Sequence, residues 1–139
     1  MRALVQRVSR AAVRVDGQTL GSIGAGMVVL LGIAHDDDED VCDRLADKVR
    51  ALRIFADAEG TMNEALGQRE VLVVSQFTLY GDARKGNRPS YVAAARPEQA
   101  EPLYVRFADR LGAARGVFGA MMEVELVNDG PVTLMLELA

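Results

Sequence analysis

Residues 70–79 read EVLVVSQFTL. Val71, Leu72, Val73 and Val74 form an apolar, largely β-branched run that is too short for a helix, and this predicts a strand over 70–79 buried on both faces. Such a strand needs a layer on each side of it. Its end is polar: Ser75 and Gln76 precede Phe77 and Thr78, and polar groups at the end of a buried strand must find hydrogen-bond partners.

Outward from this stretch, residues 27–33 are another nearly all-apolar strand, central and covered on both faces. Strands are also expected over 2–8, 11–15, 19–23 and 53–56, with turns at Asp16-Gly17 and at 58–60 and irregular chain from Met62-Asn63. Asp36 to Asp40 supply acids suited to the positive end of a helix, and Cys42, Leu45, Ala46, Val49 and Leu52 follow on one helical face. Pro97 fits the first turn of a second helix over 97–112, with Leu103, Phe107 and Leu111 on one face. Strands over 122–126 and 132–138 complete the chain. The expectation is one α+β domain spanning 1–139: a layered, mixed or barrel-like sheet with two main helices packed on it.

Hydrophobic residues make up 50% of the 139, enough for a substantial core. The longest apolar run, 25–34, is too short to span a bilayer, and no secretory signal pattern opens the sequence. The single cysteine, Cys42, has no internal disulfide partner, and a cytoplasmic protein is expected. A formal net charge of −4 argues against sequence-independent binding to duplex DNA. Two basic clusters stand out nonetheless: Arg2, Arg7, Arg10 and Arg14, and then Arg84, Lys85 and Arg88 in a polar loop over 81–90. They are either ordinary surface charge or local phosphate contacts.

Catalytic side chains are scarce. The one histidine, His35, precedes consecutive aspartates whose pattern fits helix capping better than a zinc site. Cys42 falls on the apolar helix face, as a core cysteine would. No glycine pattern matches a P-loop or a dinucleotide fingerprint. An enzyme of this sequence is expected to work with few ionisable groups and without a nucleotide cofactor, a Mg²⁺ site built from the aspartates being the alternative for a metal.

A second unusual stretch is NDGPVT, 128–133. Asp-Gly signals a hairpin turn, but the proline after it removes a donor where a return strand would pair. A cis Gly130-Pro131 bond would cost only about 0.5–1 kcal/mol over trans, and glycine permits close approach of another backbone or a ligand. A tight hairpin turn is the alternative.

SQFTL and NDGPVT, in this order and separation, resemble the paired signature motifs of the D-aminoacyl-tRNA deacylases. The likeness extends to MRALVQRVSRAAVRVDG, MVVLLGIAHDD, LRIFADAEGTMN, RKGNRPS and VFGAMMEVELVNDGPVTL, and so to nearly the whole chain. The stretches before EVLVV and before GVFGA look a few residues shorter than usual, and Met121 stands where the family commonly has an acid. The resemblance implies hydrolysis of the ester between a D-amino acid and the 3′-terminal adenosine of tRNA, and of glycine mischarged onto tRNA for alanine. It implies a homodimer in which the Gly130-Pro131 pair of one subunit, in cis, enters the active-site pocket of the other.

In that frame Ser75, Gln76, Phe77 and Thr78 form the catalytic floor. Thr78 positions substrate, since no base stands ready to activate it. Gly130 and Pro131, with Asn128, Val132 and Thr133, form the element that excludes L-amino acids. Phe118 and Met122 resemble pocket-lining positions, and Arg7 a residue bracing the Gly-Pro turn. Arg84, Lys85 and Arg88 are candidates for tRNA phosphates. A non-catalytic RNA-binding module and a general small-ester hydrolase using Thr78 are the competing expectations.

Overall fold

The computed structural model describes residues 1–139. The elements run β1 (Arg2–Val15), β2 (Gln18–Ile23), β3 (Gly26–Gly32), α1 (Glu39–Ala51), β4 (Phe55–Ala56), β5 (Met62–Glu64), β6 (Glu70–Ser75), a 3-10 turn (Phe77–Tyr80), α2 (Pro97–Leu111), β7 (Ala114–Arg115) and β8 (Glu123–Glu137). β1 is the spine. Along one edge its first half pairs antiparallel with β3 and its second half with β2, while the other edge pairs antiparallel with β8. β3 pairs in parallel with β6, and β6 with β7, giving the order β2-β1-β3-β6-β7. The ends of this path approach each other: a Cβ added at Gly21 in β2 would lie 3.2 Å from the Arg115 carbonyl in β7. The mixed sheet is therefore nearly closed, and the two helices pack on it, as the α+β expectation has it.

The apolar runs feed two cores. Met27, Val29, Leu31, Val71 and Val73 face the helices, whereas Val28, Leu72 and Val74 join Val8, Val13 and Ile23 inside the curled sheet. Strand alternation thus demands apolar residues on both faces of β3 and at Val71–Val74 of β6. Asp38 caps α1 by accepting the Val41 N–H at 2.9 Å, and Glu39 and Asp40 occupy its first turn. α2 starts with Pro97 and ends at a left-handed Gly112. Arg106 grips Asp43, and Arg110 grips Asp47, each through two hydrogen bonds that tie α2 to α1.

Several boundaries differ from expectation. The strands at 2–8 and 11–15 are one strand. Ser9 and Arg10 are exposed where β1 bends and exchanges β3 for β2 as its partner. α1 begins at Glu39 rather than Asp36, because Asp37 turns inward to bind the Ala34 N–H at 2.7 Å and the Met1 ammonium at 2.9 Å. Residues 62–64 form a short strand with β4, and β7 adds a pairing too brief to show periodicity. The strand at 70–79 stops at Ser75. The final two strands are one, β8, which runs through Gly130-Pro131 instead of turning back.

Candidate active site

The strand after Ser75 gives way because the chain must climb over the end of β3. The Gln76 N–H still donates to the Leu31 carbonyl at 2.8 Å, and then Phe77–Tyr80 winds into a single 3-10 turn. Gly32 makes room for it: a Cβ there would lie 3.1 Å from Leu79 Cβ and 3.2 Å from the Gln76 carbonyl. The turn is closed by Leu79 N–H to the Gln76 carbonyl at 3.2 Å and by Gly81 N–H to the Thr78 carbonyl at 2.9 Å. The N–H groups of Phe77 and Thr78 open the turn, so they have no acceptor within it. Arg2 holds the far end, donating to the Leu79 carbonyl at 2.7 Å and lying 4.5 Å over the Tyr80 ring.

Beside this turn lies a cavity of about 590 Å³, within the range typical of small-molecule sites. Ser75, Gln76 and Phe77 form one side, Tyr91 and residues 94–97 another, and residues 118–122 a third. Phe77 is 56% exposed and meets the Tyr91 ring edge-on at 5.1 Å. Phe118 packs against Tyr104, which is buried beneath the site. The Tyr104 hydroxyl donates to the Val73 carbonyl at 3.1 Å and lies 3.4 Å from that of Gly116, fastening the 116–118 loop to β6. Burial raises its pKa to about 12. Met121 lines the cavity and is 93% exposed. Of the residues singled out from sequence, Ser75, Gln76, Phe77, Phe118 and Met122 line the cavity. Thr78 sits on the turn outside that lining, and its hydroxyl accepts from the Gln76 amide. No carboxylate, histidine, lysine or cysteine lines the cavity. His35 instead bonds the Val92 carbonyl at 2.6 Å, and Cys42 is buried, its thiol pushed up to about 11 by desolvation.

Gly130 and Pro131 lie apart from this cavity in the same chain. They cap an arch in β8. Gln6 pairs with Thr133 and Val8 with Asn128, so the β8 segment 128–133 bows out opposite Arg7. The Gly130-Pro131 bond is cis, and Gly130 adopts φ +146°, a conformation open to glycine and little else. The arch is internally tied: Asn128 Oδ1 accepts the Val132 N–H at 2.8 Å, and its Nδ2 donates to the Val132 carbonyl at 3.2 Å and the Thr133 hydroxyl at 3.1 Å. Arg7 holds it from below, donating from Nε to the Asp129 carbonyl and from Nη1 to the Ile54 carbonyl, both at 2.7 Å. Val127, Leu134 and Met135 of β8 are exposed around the arch.

The basic loop divides. Arg84 is occupied by Asp82, through Nε at 2.9 Å and Nη2 at 2.7 Å, and the guanidinium holds the Asp82 carboxyl down to about 2. Lys85 and Arg88 are exposed and outside the cavity lining. Tyr91, Arg96 and Tyr104 also belong to the site or support it, and no motif in the sequence marks them.

A family model described as D-Tyr-tRNA(Tyr) deacylase matches residues 4–137. The D-aminoacyl-tRNA deacylase of Symbiobacterium thermophilum is 57% identical over 144 residues, covering 99% of this chain and 95% of its own. That of Opitutus terrae is 59% identical over 145 residues, covering 99% and 97%. Among solved structures, the c-Myc DNA unwinding element binding protein is similar with a TM-score of 0.94 at 41% identity, covering 100% of this chain and 99% of its own. A probable eukaryotic D-amino acid tRNA deacylase shares the fold, with a TM-score of 0.85 at 17% identity over 99% of this chain and 98% of its own.

Proposed function

The chain belongs to the D-Tyr-tRNA(Tyr) deacylase family, hydrolases of ester bonds, and on that premise we propose that it cleaves D-amino acids from the 3′-terminal adenosine of tRNA and spares L-aminoacyl-tRNA. The observation that carries this reading is a substrate-sized cavity with no general base and no activated nucleophile, bordered by the start of a 3-10 turn whose first N–H groups have no acceptor within it. Such a site suits an ester that is already reactive. Water adds to the carbonyl carbon, the N–H groups of Phe77 and Thr78 stabilise the oxyanion, and the C–O bond to the ribose breaks. The neighbouring 2′-hydroxyl relays the proton to the departing 3′-oxygen. Catalysis is then mainly positioning, which is worth several kcal/mol in oriented intramolecular reactions. Thr78, hydrogen-bonded to the Gln76 amide rather than to a base, orients the turn.

Selectivity comes from a second subunit. The arch carrying Gly130 and Pro131 lies outside its own chain's cavity and projects from an outer strand whose exposed residues include Val127, Leu134 and Met135. A homodimer would bring it to the partner's cavity, as a backbone wall beside the substrate α-carbon. Such a wall admits hydrogen and rejects a larger group, whatever the side chain. Glycine passes, so glycyl-tRNA for alanine is a second substrate. Lys85 and Arg88, with the partly neutralised Arg84, contact acceptor-end phosphates. A protein handling cytoplasmic tRNA belongs in the cytoplasm, and no helix here is long and apolar enough to cross a membrane.

Deacylation of matched D-, L- and glycyl-tRNA tests the reading. Rapid release from D and glycyl substrates with L intact is expected, and equal D and L rates overturn it. An ester protected from release would mark a binding module. Loss of all turnover in Thr78→Ala, with a trapped covalent aminoacyl adduct in wild type, would mark a threonine esterase.

A further inference from the structure

Arg96 is the one residue with a permanent charge in the cavity lining. It is exposed at the N-cap of α2, and its side chain makes no capping bond. Every other arginine except Arg88 donates to a carbonyl or pairs with a carboxylate. An unpaired guanidinium at the edge of a largely apolar cavity is a binding group without a protein partner. With no carboxylate in the lining to offset it, the cavity carries a local positive field on a protein of net charge −4.

Resting on the deacylase reading, we propose that Arg96 binds the 5′-phosphodiester of the terminal adenosine, the link between it and the preceding nucleotide. That phosphodiester is the anionic group of the substrate nearest the scissile ester, across one ribose from it. Its non-bridging oxygens suit the planar fork of a guanidinium. The contact adds binding energy at the ribose equally in the bound substrate and the transition state, while the Phe77–Tyr80 turn sets where the ester carbonyl falls. It is a substrate-anchoring contact that takes no proton and forms no bond.

Two small esters isolate the contact: 3′-O-(D-tyrosyl)adenosine and the same compound bearing a 5′-phosphate. Wild type is expected to show a KM roughly tenfold or more lower for the phosphorylated ester, the worth of one charge-assisted hydrogen-bonding group, at similar kcat. Arg96→Gln should abolish that preference by raising KM for the phosphorylated ester alone. Arg96→Lys should restore part of it, and added salt should erode it. On whole D-aminoacyl-tRNA, Arg96→Gln should raise KM with kcat held. A wild type indifferent to the phosphate, an Arg96→Gln variant that changes both esters equally, or an unchanged KM on tRNA overturns the proposal while leaving deacylation intact. A wild type that cleaves no D-aminoacyl-tRNA sinks the deacylase reading and this one with it.

Discussion

Replacing Arg7 by alanine should uncouple the arch from the sheet. The guanidinium makes two 2.7 Å bonds, to the Asp129 carbonyl at the base of the arch and to the Ile54 carbonyl before β4. Its side chain is only 16% exposed. Hydrogen bonds to a charged group contribute about 1.5–3 kcal/mol each, and water replaces part of the more open one, so a loss of roughly 2–4 kcal/mol is expected. For a chain of this size that lowers Tm on the order of 10 °C. The specific consequence lies elsewhere. With the Asp129 carbonyl released, Gly130 no longer has a fixed position, and the wall it offers a partner's cavity loosens. Deacylation of D-aminoacyl-tRNA should fall, and the ratio of D to L rates should shrink. Arg7→Lys should recover stability more than selectivity, because an ammonium reaches one carbonyl in place of a planar fork spanning two. Thermal unfolding measured beside D and L deacylation decides the matter. A variant that melts lower yet keeps its D-to-L ratio and its rate would refute the idea that Arg7 sets the arch.

Gly130→Ala should be worse for activity than for solubility, since the new Cβ would lie 2.8 Å from Val132 Cγ2 and 2.9 Å from the Val132 nitrogen at a φ of +146°; loss of D-aminoacyl-tRNA turnover in a folded protein, judged by circular dichroism, is the expected result. Tyr104→Phe removes the hydroxyl bridge between the Val73 and Gly116 carbonyls and should cost about 1–2 kcal/mol in urea unfolding, with a raised KM as the 116–118 wall loosens. The carboxyls of Asp43 and Asp47 are held below the usual aspartate range, chiefly by hydrogen bonds from Arg106 and Arg110. Folded-state values below the unfolded ones mean that this stabilisation is present above the ordinary aspartate pKa and is lost as pH falls through and below it. Acid unfolding profiles should therefore flatten over that window in Arg106→Gln. Neutralising Lys85 and Arg88 should weaken tRNA binding more than Arg84→Gln, because Asp82 already offsets Arg84; equal effects in a salt-titrated binding assay would contradict this.

What was legible in the sequence follows from which interactions are local. β3 and β6 show themselves as unbroken apolar runs because alternate residues fill two separate cores. The helices show themselves through Asp38, Pro97 and the spacing of Leu103, Phe107 and Leu111. The end of β6 was not legible. Phe77 and Leu79 look like strand residues, and only the close packing of the turn against Gly32, far along the chain, bends them away. Nor was the unity of β8, since Asp-Gly-Pro has the composition of a turn. What keeps the segment in line is Asn128, whose side chain takes over hydrogen bonding that the bowed backbone gives up, together with long-range pairing to both halves of β1.

The same distinction applies to the site. The motifs pointed to residues whose side chains or backbone carry chemistry, but they could not show that Ser75–Phe77 and Gly130-Pro131 occupy different surfaces of one chain. That separation gives the dimer reading its sharpest test. A pocket variant at Phe77 and an arch variant at Gly130, each inactive alone, should regain activity when mixed and allowed to exchange subunits. One cavity in the hybrid would then have an intact floor from one protomer facing an intact arch from its partner. If mixing restores nothing although native mass spectrometry shows the hybrid, each cavity works without its partner's arch, and selectivity must come from within one chain.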